Sequence, residues 1–312
     1  MISPVISVIM AVYNGENRVI SAIQSVIDQD IDNWELLIID DGSTDATKQV
    51  VKQVDDSRVF LITLERNVGP GAARNIGLRA ARGEWVTFLD HDDRFEPKRL
   101  STLLAIGKRT GCDVVADDQL VIDEYSRAAI GHTFGGITNR TAEWPLSLMG
   151  FLDHCPVMQP MIRTEFLRKH DLAFPEDRQY LEDLHLWIEI LLHGAKWICI
   201  SNALYRYTYR KGSLSHKRGE LNRQRARSLA ALARQAEERG FLCEATRMRA
   251  LAREADLAAS AWDFIESVQR RQFRNAIHIV GTRPKVLTIV STIVFRWIGC
   301  QVNRRLTSLF KV

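Results

Sequence analysis

The chain has 312 residues, enough for one large α/β domain with an appendage and an ample hydrophobic core. Its composition, 46% hydrophobic and 26% charged, is that of an ordinary globular protein and excludes a disordered or fibrous one. Five scattered cysteines without a C-x-x-C pair argue against a zinc site or a disulfide framework, and they favour a reducing compartment. No run of the sequence reaches the ~18 apolar residues that a membrane span needs.

The net charge of +4 conceals two regions of opposite sign. Residues 205–312 contain 22 Lys+Arg and 8 Asp+Glu, a net of +14, whereas residues 1–204 contain 20 and 30, a net of −10. We expect the basic region to meet an anionic partner: a lipid surface, a phosphate-bearing substrate or nucleic acid. The first twelve residues lack the basic segment of a secretory signal and instead have the pattern of a strand.

The first 116 residues alternate between strand and helix patterns. This alternation with short connections predicts an α/β fold whose central sheet is mainly parallel, with helices on both faces. Strands are predicted at Val5–Val12, Leu36–Ile39, Val59–Leu64, Trp85–Leu89 and Val114–Ala116, and helices at Val19–Ile27, Thr44–Val54, Gly71–Ala81 and Pro97–Lys108.

Polar loops follow the first four predicted strands, at residues 13–15, 40–45, 66–69 and 90–93. Taken singly, each can be a turn that caps the next helix, as Ser43 or Thr44 would do well. Ligands of parallel α/β sheets bind beyond the carboxyl ends of the strands, however, and all four loops lie at that edge. Together they predict a binding site.

The fourth loop, Asp90-His91-Asp92-Asp93, places three acids within four positions at the end of a buried strand. Such carboxylates repel one another unless a positive group lies among them. Mg²⁺ is usually held by one or two carboxylates together with the phosphates of a substrate. The alternative is a solvated acidic turn before the helix that Pro97 opens.

A helix is predicted from Tyr180 toward His193, because apolar residues recur there at helical spacing. Glu182 and Asp183 fall in its first turn, where the helix dipole favours acids. From Gly219 to Val268 the chain is rich in Ala and Arg and predicts a helical pair with a break near Gly240.

An amphipathic helix is predicted over Val286–Ile298, with its apolar side chains on one half of the helical wheel and basic residues on both flanks. Two interpretations stay open. The apolar face can dock on the protein's own core or on a second copy, or the helix can lie in a membrane interface.

The order and spacing of five segments resemble the family 2 glycosyltransferases, which have the Rossmann-like GT-A fold. The resemblance extends from Val5 to about Arg210. It implies a nucleotide-sugar-binding and catalytic domain at residues 1–216, followed by a basic α-helical extension at 217–312. The matching segments are Val8–Asn14, Trp34–Asp45, Asn67–Gly77, Gly83–Asp92 and Glu182–Trp187.

The family transfers a sugar from a nucleotide diphosphate to an acceptor hydroxyl, so the resemblance implies roles for the residues of the donor site. Asp41 would bind the uracil edge and Tyr13 would pack beside the base. Arg74 would lie near the base or the diphosphate, since a guanidinium suits phosphate oxygens. Asp92 would bind Mg²⁺ or Mn²⁺, and Asp90 would orient the ribose or a metal-bound water.

By the same resemblance, Asp183 is the base that accepts the proton of the acceptor hydroxyl in a single displacement with inversion. Arg210 belongs to a basic loop, together with Arg206, Lys211 and His216. We expect this loop to close over the diphosphate, and a solvated basic loop is the alternative.

The Q-x-x-R-W motif of processive synthases is absent, which favours the addition of one sugar over polymerisation. By the resemblance, the sugar is expected to be a hexose such as glucose. The basic extension suggests a lipid-linked glycan acceptor, as in exopolysaccharide or surface-polysaccharide assembly, and a cytoplasmic enzyme held peripherally at the inner face of the cell membrane.

One alternative is a sugar-nucleotide pyrophosphorylase, although no Gly-rich loop with a basic residue follows the first strand. Another is a nucleic-acid-binding protein, although the basic helices lack interleaved aromatic residues and known docking motifs. We therefore expect a UDP-sugar and a glycan as partners, and no nucleic acid.

Overall fold

A computed structural model describes residues 3–134, 142–177, 180–210, 218–270 and 272–291. The chain divides into two compact units, residues 1–213 and 214–312.

The first half of the sheet in the first unit consists of four parallel strands in the order β3-β2-β1-β4. Runs of β-branched and aliphatic residues form these strands because helices cover both faces of the sheet, and β2 and β4 are buried along their whole length. The elements are β1 Ile6–Val12, α1 Val19–Ile27, β2 Trp34–Asp40, α2 Thr47–Val51, β3 Val59–Thr63, α3 Pro70–Ala80, β4 Trp85–Phe88 and α4 Arg99–Thr110.

The second half of the sheet is mixed, and its full order is β3-β2-β1-β4-β9-β6-β10-β5. Strand β9 (Met161–Arg163) lies antiparallel between β4 and β6 (Val114–Asp123), and β10 (Trp197–Tyr209) is parallel to β6. Short antiparallel strands complete it: β5 Arg94–Phe95, β7 Ala129–His132 and β8 Glu143–Pro145. The predicted α/β fold is confirmed, and its parallel pairs are those among β1 to β4 and the long β6–β10 pair.

Three further helices belong to this unit: α5 Leu148–His154, α6 Thr164–Lys169 and α7 Glu182–Leu192. The predicted inward face of α7 is buried, and Trp187 packs against Phe88 of β4 and Trp197 of β10 with ring centroids 6.0 and 6.2 Å apart. This aromatic contact fixes the helix to the middle of the sheet.

A buried ion pair lies beneath the edge where β4 ends. Arg99 of α4 and Asp117 of β6 are 0% and 1% exposed, and their closest nitrogen–oxygen distance is 2.8 Å. Arg99 also donates to the hydroxyl of Thr87 and to the carbonyl of Gln159. Because every polar group here has a partner, the pair can stay charged inside the core.

A reciprocal hydrogen-bond pair joins α3 to the segment that precedes α7. The side chain of Asn75 donates to the Phe174 carbonyl at 2.8 Å and accepts from the Phe174 amide at 2.9 Å. It also donates to Glu176. These bonds hold α3 against the chain that precedes α7 in sequence.

The second unit is helical over its described residues. Helices α8 (Arg218–Glu238) and α9 (Leu242–Gln269) pack together through small apolar side chains and are separated at Gly240, whose φ of +83° suits glycine. Helix α10 (Phe273–Thr282) packs against α9. The helix predicted from Val286 is helical as far as residue 291, and its continuation from residue 292 lies outside the described residues. No helix in the described ranges combines the length and apolar character needed to cross a membrane.

Candidate active site

The loops after β1 and β2 are held together by hydrogen bonds at the carboxyl edge of the sheet. The Asn14 amide donates to the Ser43 hydroxyl, and the Thr44 amide donates to the Asn14 side chain, both at 2.9 Å. Helix α2 begins only at Thr47, so the prediction that Ser43 or Thr44 caps it is wrong. Both residues instead bond to the neighbouring loop.

Asp41 fixes the loop that leads into α3. Its two carboxylate oxygens accept from the amides of Val68 and Gly69 at 2.7 and 3.0 Å. Burial raises the pKa of Asp41 although these two hydrogen bonds act in the opposite direction. Each carboxylate oxygen can accept a second bond, so acceptor capacity for a nucleobase is left. Tyr13 is 44% exposed at this edge and offers a flat ring.

Arg74 is the central cation of the site. It is 8% exposed and donates to Asp90 at 2.7 Å and to Glu182 at 2.5 Å. Burial opposes its charge, but the two acids outweigh that effect and raise the pKa of Arg74 above its ordinary value. Arg74 and Asp90 were each predicted to contact the donor. In the structure they bond to each other, so binding of the donor by either residue competes with this ion pair.

The remaining polar atoms of Asp90 bond to the second half of the sheet. Its other carboxylate oxygen accepts from Gln159 at 3.2 Å, and its amide donates to the hydroxyl of Tyr205 at 3.3 Å. The Tyr205 hydroxyl in turn donates to Asp93 at 2.8 Å, and the Thr208 amide donates to Asp93 at 2.7 Å. Burial, followed by the charges of neighbouring Asp90 and Asp92, raises the pKa of Asp93 well above its ordinary value. These bonds give the acidic loop one fixed shape.

Asp92 is the carboxylate of this loop that faces a cation at the surface. Its Oδ2 lies 3.5 Å from Arg210 Nη2, and the two side chains are 21% and 28% exposed. Over the described ranges no group of three or more His, Cys, Asp and Glu residues is arranged to hold a metal ion. A magnesium ion bound by one or two carboxylates and a substrate diphosphate needs no such group, and Asp92 fits that kind of binding.

Asp183 is the second residue of α7, two positions after Leu181, whose φ of +59° is unusual for a bulky residue. Its carboxylate accepts from the Leu184 amide at 2.7 Å. Burial, and then the charge of Glu182, raise the pKa of Asp183 to about 7. A carboxylate with this pKa can accept a proton near neutral pH.

Comparison with known proteins decides what kind of site this is. The model of a family described as "Glycosyl transferase family 2" matches residues 7–164, half of the chain. The chain belongs to glycosyl transferase family 2. The matched segment contains β1 to β4 and the acidic loop, whereas Asp183 lies beyond it.

Curated relatives of this family 2 glycosyltransferase come from bacterial surface-glycan systems. It is 31% identical over 68% of its length to the succinoglycan biosynthesis protein ExoO of Rhizobium meliloti, and it spans 63% of that protein. It is 29% identical over 68% of its length to the putative teichuronic acid biosynthesis glycosyltransferase TuaG of Bacillus subtilis, and it spans 82% of TuaG.

Among solved structures, the transferase is similar to TarS of S. aureus. A TarS fragment in complex with UDP is 26% identical and has a TM-score of 0.59, covering 72% of this chain and 65% of that one. The fragment in complex with UDP-GlcNAc is 23% identical and has a TM-score of 0.69, covering 90% and 81%. The second likeness shows the fold alone and agrees with the predicted GT-A architecture.

Sequence reasoning missed four residues that shape this glycosyltransferase site: Glu182 as the partner of Arg74, and Gln159, Tyr205 and Thr208 as partners of the acidic loop. Glu182 was assigned only to the helix dipole. The other three gave no signal, since they stand singly in apolar or mixed segments. Of the predicted basic loop, Arg206 pairs with Glu96, and Lys211 and His216 lie outside the described residues.

Proposed function

We propose that the protein is an inverting, metal-dependent glycosyltransferase that moves a single hexose, such as glucose, from a UDP-sugar to an acceptor hydroxyl. The observation that carries this proposal is the double ion pair of Arg74. Through Asp90 and Glu182 it joins the loop that contains Asp92 to the helix that contains Asp183. A donor-side acid and a base with a pKa near neutrality are thereby held in one cluster.

On the donor side, Tyr13 would pack against the uracil ring and Asp41 would accept from its N–H edge. Arg210, next to Asp92, would neutralise charge on the diphosphate. The similar TarS structure solved with UDP supports a UDP-sugar as the donor class. The family match favours sugar transfer over the pyrophosphorylase alternative.

Asp92 would hold Mg²⁺ or Mn²⁺ together with the donor diphosphate, and Asp90 would fix the loop in the binding conformation. The ion supplies a Lewis acid that stabilises the departing diphosphate. Arg74 cannot replace that function without giving up its bonds to Asp90 and Glu182.

On the acceptor side, Asp183 would take the proton of the attacking hydroxyl. The hydroxyl oxygen forms a bond to the anomeric carbon as the bond to the diphosphate oxygen breaks on the opposite face. The configuration at that carbon is inverted, so an α-linked donor gives a β-linked product. The charge of Arg74 nearby lowers the pKa of Asp183 and partly offsets the effect of burial.

For the acceptor, we propose a lipid-linked glycan at the inner face of the cell membrane, used in exopolysaccharide or surface-polysaccharide assembly. The names of ExoO and TuaG, which refer to succinoglycan and teichuronic acid biosynthesis, support this class of pathway.

The proposal is tested by screening the purified protein against a panel of UDP-sugars with and without EDTA while measuring UDP release. We expect turnover of a UDP-hexose that EDTA abolishes and that Mg²⁺ or Mn²⁺ restores. Asp92→Asn should lose the metal stimulation, whereas Asp55→Asn, which changes an exposed acid, should not. Full turnover in EDTA would contradict the metal assignment, and an α-linked product in an anomeric NMR spectrum would contradict inversion.

A further inference from the structure

The second unit carries an apolar groove at its surface, between the end of α9, helix α10 and the helical turns from Val286. We call it the α9–α10 groove. It encloses about 460 Å³ and is lined by apolar side chains and a glycine, among them Phe264, Val268, Phe273, Ile277 and Leu287. Phe273 and Ile277, one helical turn apart on α10, are 59% and 72% exposed. An apolar surface of this kind marks an interaction site.

The segment that supplies most of the groove's lining is basic. From residue 267 to the end, the chain contains nine Lys+Arg and no Asp or Glu. Arg270 and Arg283 have acidic partners on α9, whereas Arg274 lies exposed on α10 beside Phe273. An apolar centre with a basic surround is the combination that anionic lipid surfaces bind.

We propose that the α9–α10 groove docks the protein on an anionic lipid surface, with Phe273 and Ile277 entering the interface and Arg274 meeting lipid phosphates. A second copy packed symmetrically on the groove would bring two acid-free segments together, so their charges would repel. A nucleic-acid backbone would pair with the arginines but would gain nothing from the apolar side chains at the centre. This inference deepens the proposed function and rests on it, because a lipid-linked acceptor is reached only at a membrane surface.

The test is co-sedimentation of the full chain with vesicles of phosphatidylcholine alone or of phosphatidylcholine mixed with phosphatidylglycerol. We expect binding to the mixed vesicles that weakens with salt, and little binding to phosphatidylcholine alone. Phe273→Ser combined with Ile277→Ser should weaken binding at least ~10-fold through lost apolar burial. Leu242→Ser, which changes an equally exposed leucine at the other end of α9, should bind like the wild type.

A second variant changes the charge of an exposed residue, so its effect on vesicle binding does not depend on the packing of apolar side chains. Arg274→Glu should weaken binding by about 5-fold for each of the two charge units changed, whereas Arg239→Glu, in the turn directly after α8, should do so far less. UDP release from a UDP-sugar should be unaltered in both, so that a failure of docking is distinguished from a failure of the proposed chemistry. Equal binding to both kinds of vesicle would overturn the proposal. So would wild-type binding by Arg274→Glu, or a dimer in light scattering that the double serine variant abolishes without any vesicle binding.

Discussion

The first unit buries two of its arginines, whereas the ion-paired arginines described in the helical unit all stay partly exposed to solvent. In the first unit, Arg74 and Arg99 are 8% and 0% exposed, and each is held by acids and other acceptors around it. In the second unit, Arg223 pairs with Asp263 while the two side chains stay 35% and 42% exposed. The residue type and the bond lengths are alike, so exposure to solvent is what separates the two cases.

Exposure to solvent decides how much each ion pair contributes to the stability of the fold. A charge without solvent depends on its partner, because loss of that partner leaves an uncompensated ion in a medium of low dielectric constant. An ion pair at the surface contributes little to stability, because water solvates both side chains when the pair is broken. The buried arginines therefore fix geometry in the catalytic unit, and the solvated ones set the surface charge of the helical unit. Substitutions in the two units should differ accordingly.

The largest effect is expected at the base held by this buried cluster. Asp183→Asn keeps the shape of the side chain but removes the proton acceptor, so sugar transfer should fall by about 10²–10⁴-fold. UDP binding, measured by calorimetry, should stay near that of the wild type. Transfer at the wild-type rate would remove Asp183 as the base, and Asp55→Asn serves as the control for removing one acidic charge.

The raised pKa of Asp183 also predicts a dependence on pH. Transfer should increase as pH rises through about 7, because the base becomes ionised there. The unfolded chain loses this proton at the lower, ordinary aspartate pKa, so folding stability should decrease between that value and about 7. Thermal unfolding should show Asp183→Asn to be more stable than the wild type at pH 8, with a smaller difference at pH 5. A constant difference would argue against the raised pKa.

The next largest effect is expected in the core. Asp117→Asn leaves Arg99 buried without its counter-ion and should reduce the free energy of unfolding by about 3–5 kcal/mol. Urea denaturation measures this loss. Glu143→Gln breaks the exposed pair with Arg109 in the same unit and should change stability by less than about 1 kcal/mol. Equal losses would show that burial is not what distinguishes the two pairs.

A smaller effect on activity is expected from Arg74→Lys. Lysine keeps the charge but cannot bond Asp90 and Glu182 with two diverging N–H groups, so one contact should be lost. Loss of one charge-assisted hydrogen bond corresponds to about 10–100-fold in transfer rate. Arg79→Lys, an exposed change on the same helix, is the matched control. If both variants keep full activity, the double ion pair is not needed to position the base.

The smallest effect is expected in the helical unit. Arg223→Gln removes two solvated pairs, with Glu220 and with Asp263, and the free energy of unfolding should fall by only about 1 kcal/mol. A loss of unfolding free energy as large as that of Asp117→Asn would contradict the inference that solvated ion pairs contribute less than buried ones.

The parallel half of the sheet follows from local patterns, because β1, β2 and β4 are continuous apolar runs. Strand β6 was predicted only at Val114–Ala116, since Asp117 and Asp118 look like the start of a loop. They continue the strand because Arg99 and His132 supply partners from elsewhere in the chain. Strand β9 has three residues, too few for a periodic signal.

In the candidate site too, local patterns predict some features, whereas contacts between residues distant in sequence determine the others. Motif order alone predicted Asp90, Asp92 and Asp183 as site residues, since each lies at the end of a predicted element. It could not indicate that Arg74 would pair with Asp90 and Glu182, which are 16 and 108 residues away in the sequence. Such contacts depend on how α7 lies on the sheet. That placement comes from buried aromatic packing around Trp187, which no local pattern encodes.

The bonds of Asn75 limit how far this enzyme can be trimmed. A fragment ending at residue 164, where the family match ends, would retain the nucleotide-side loops but would leave the Asn75 amide group without Phe174 and Glu176, and Arg74 without Glu182. Exchanging acceptor specificity by grafting should therefore cut the chain after β10, since Tyr205 and Thr208 of that strand bond the acidic loop. Chimeras joined upstream of Phe174 would have to rebuild the contacts of Asn75 and Arg74 with the incoming chain.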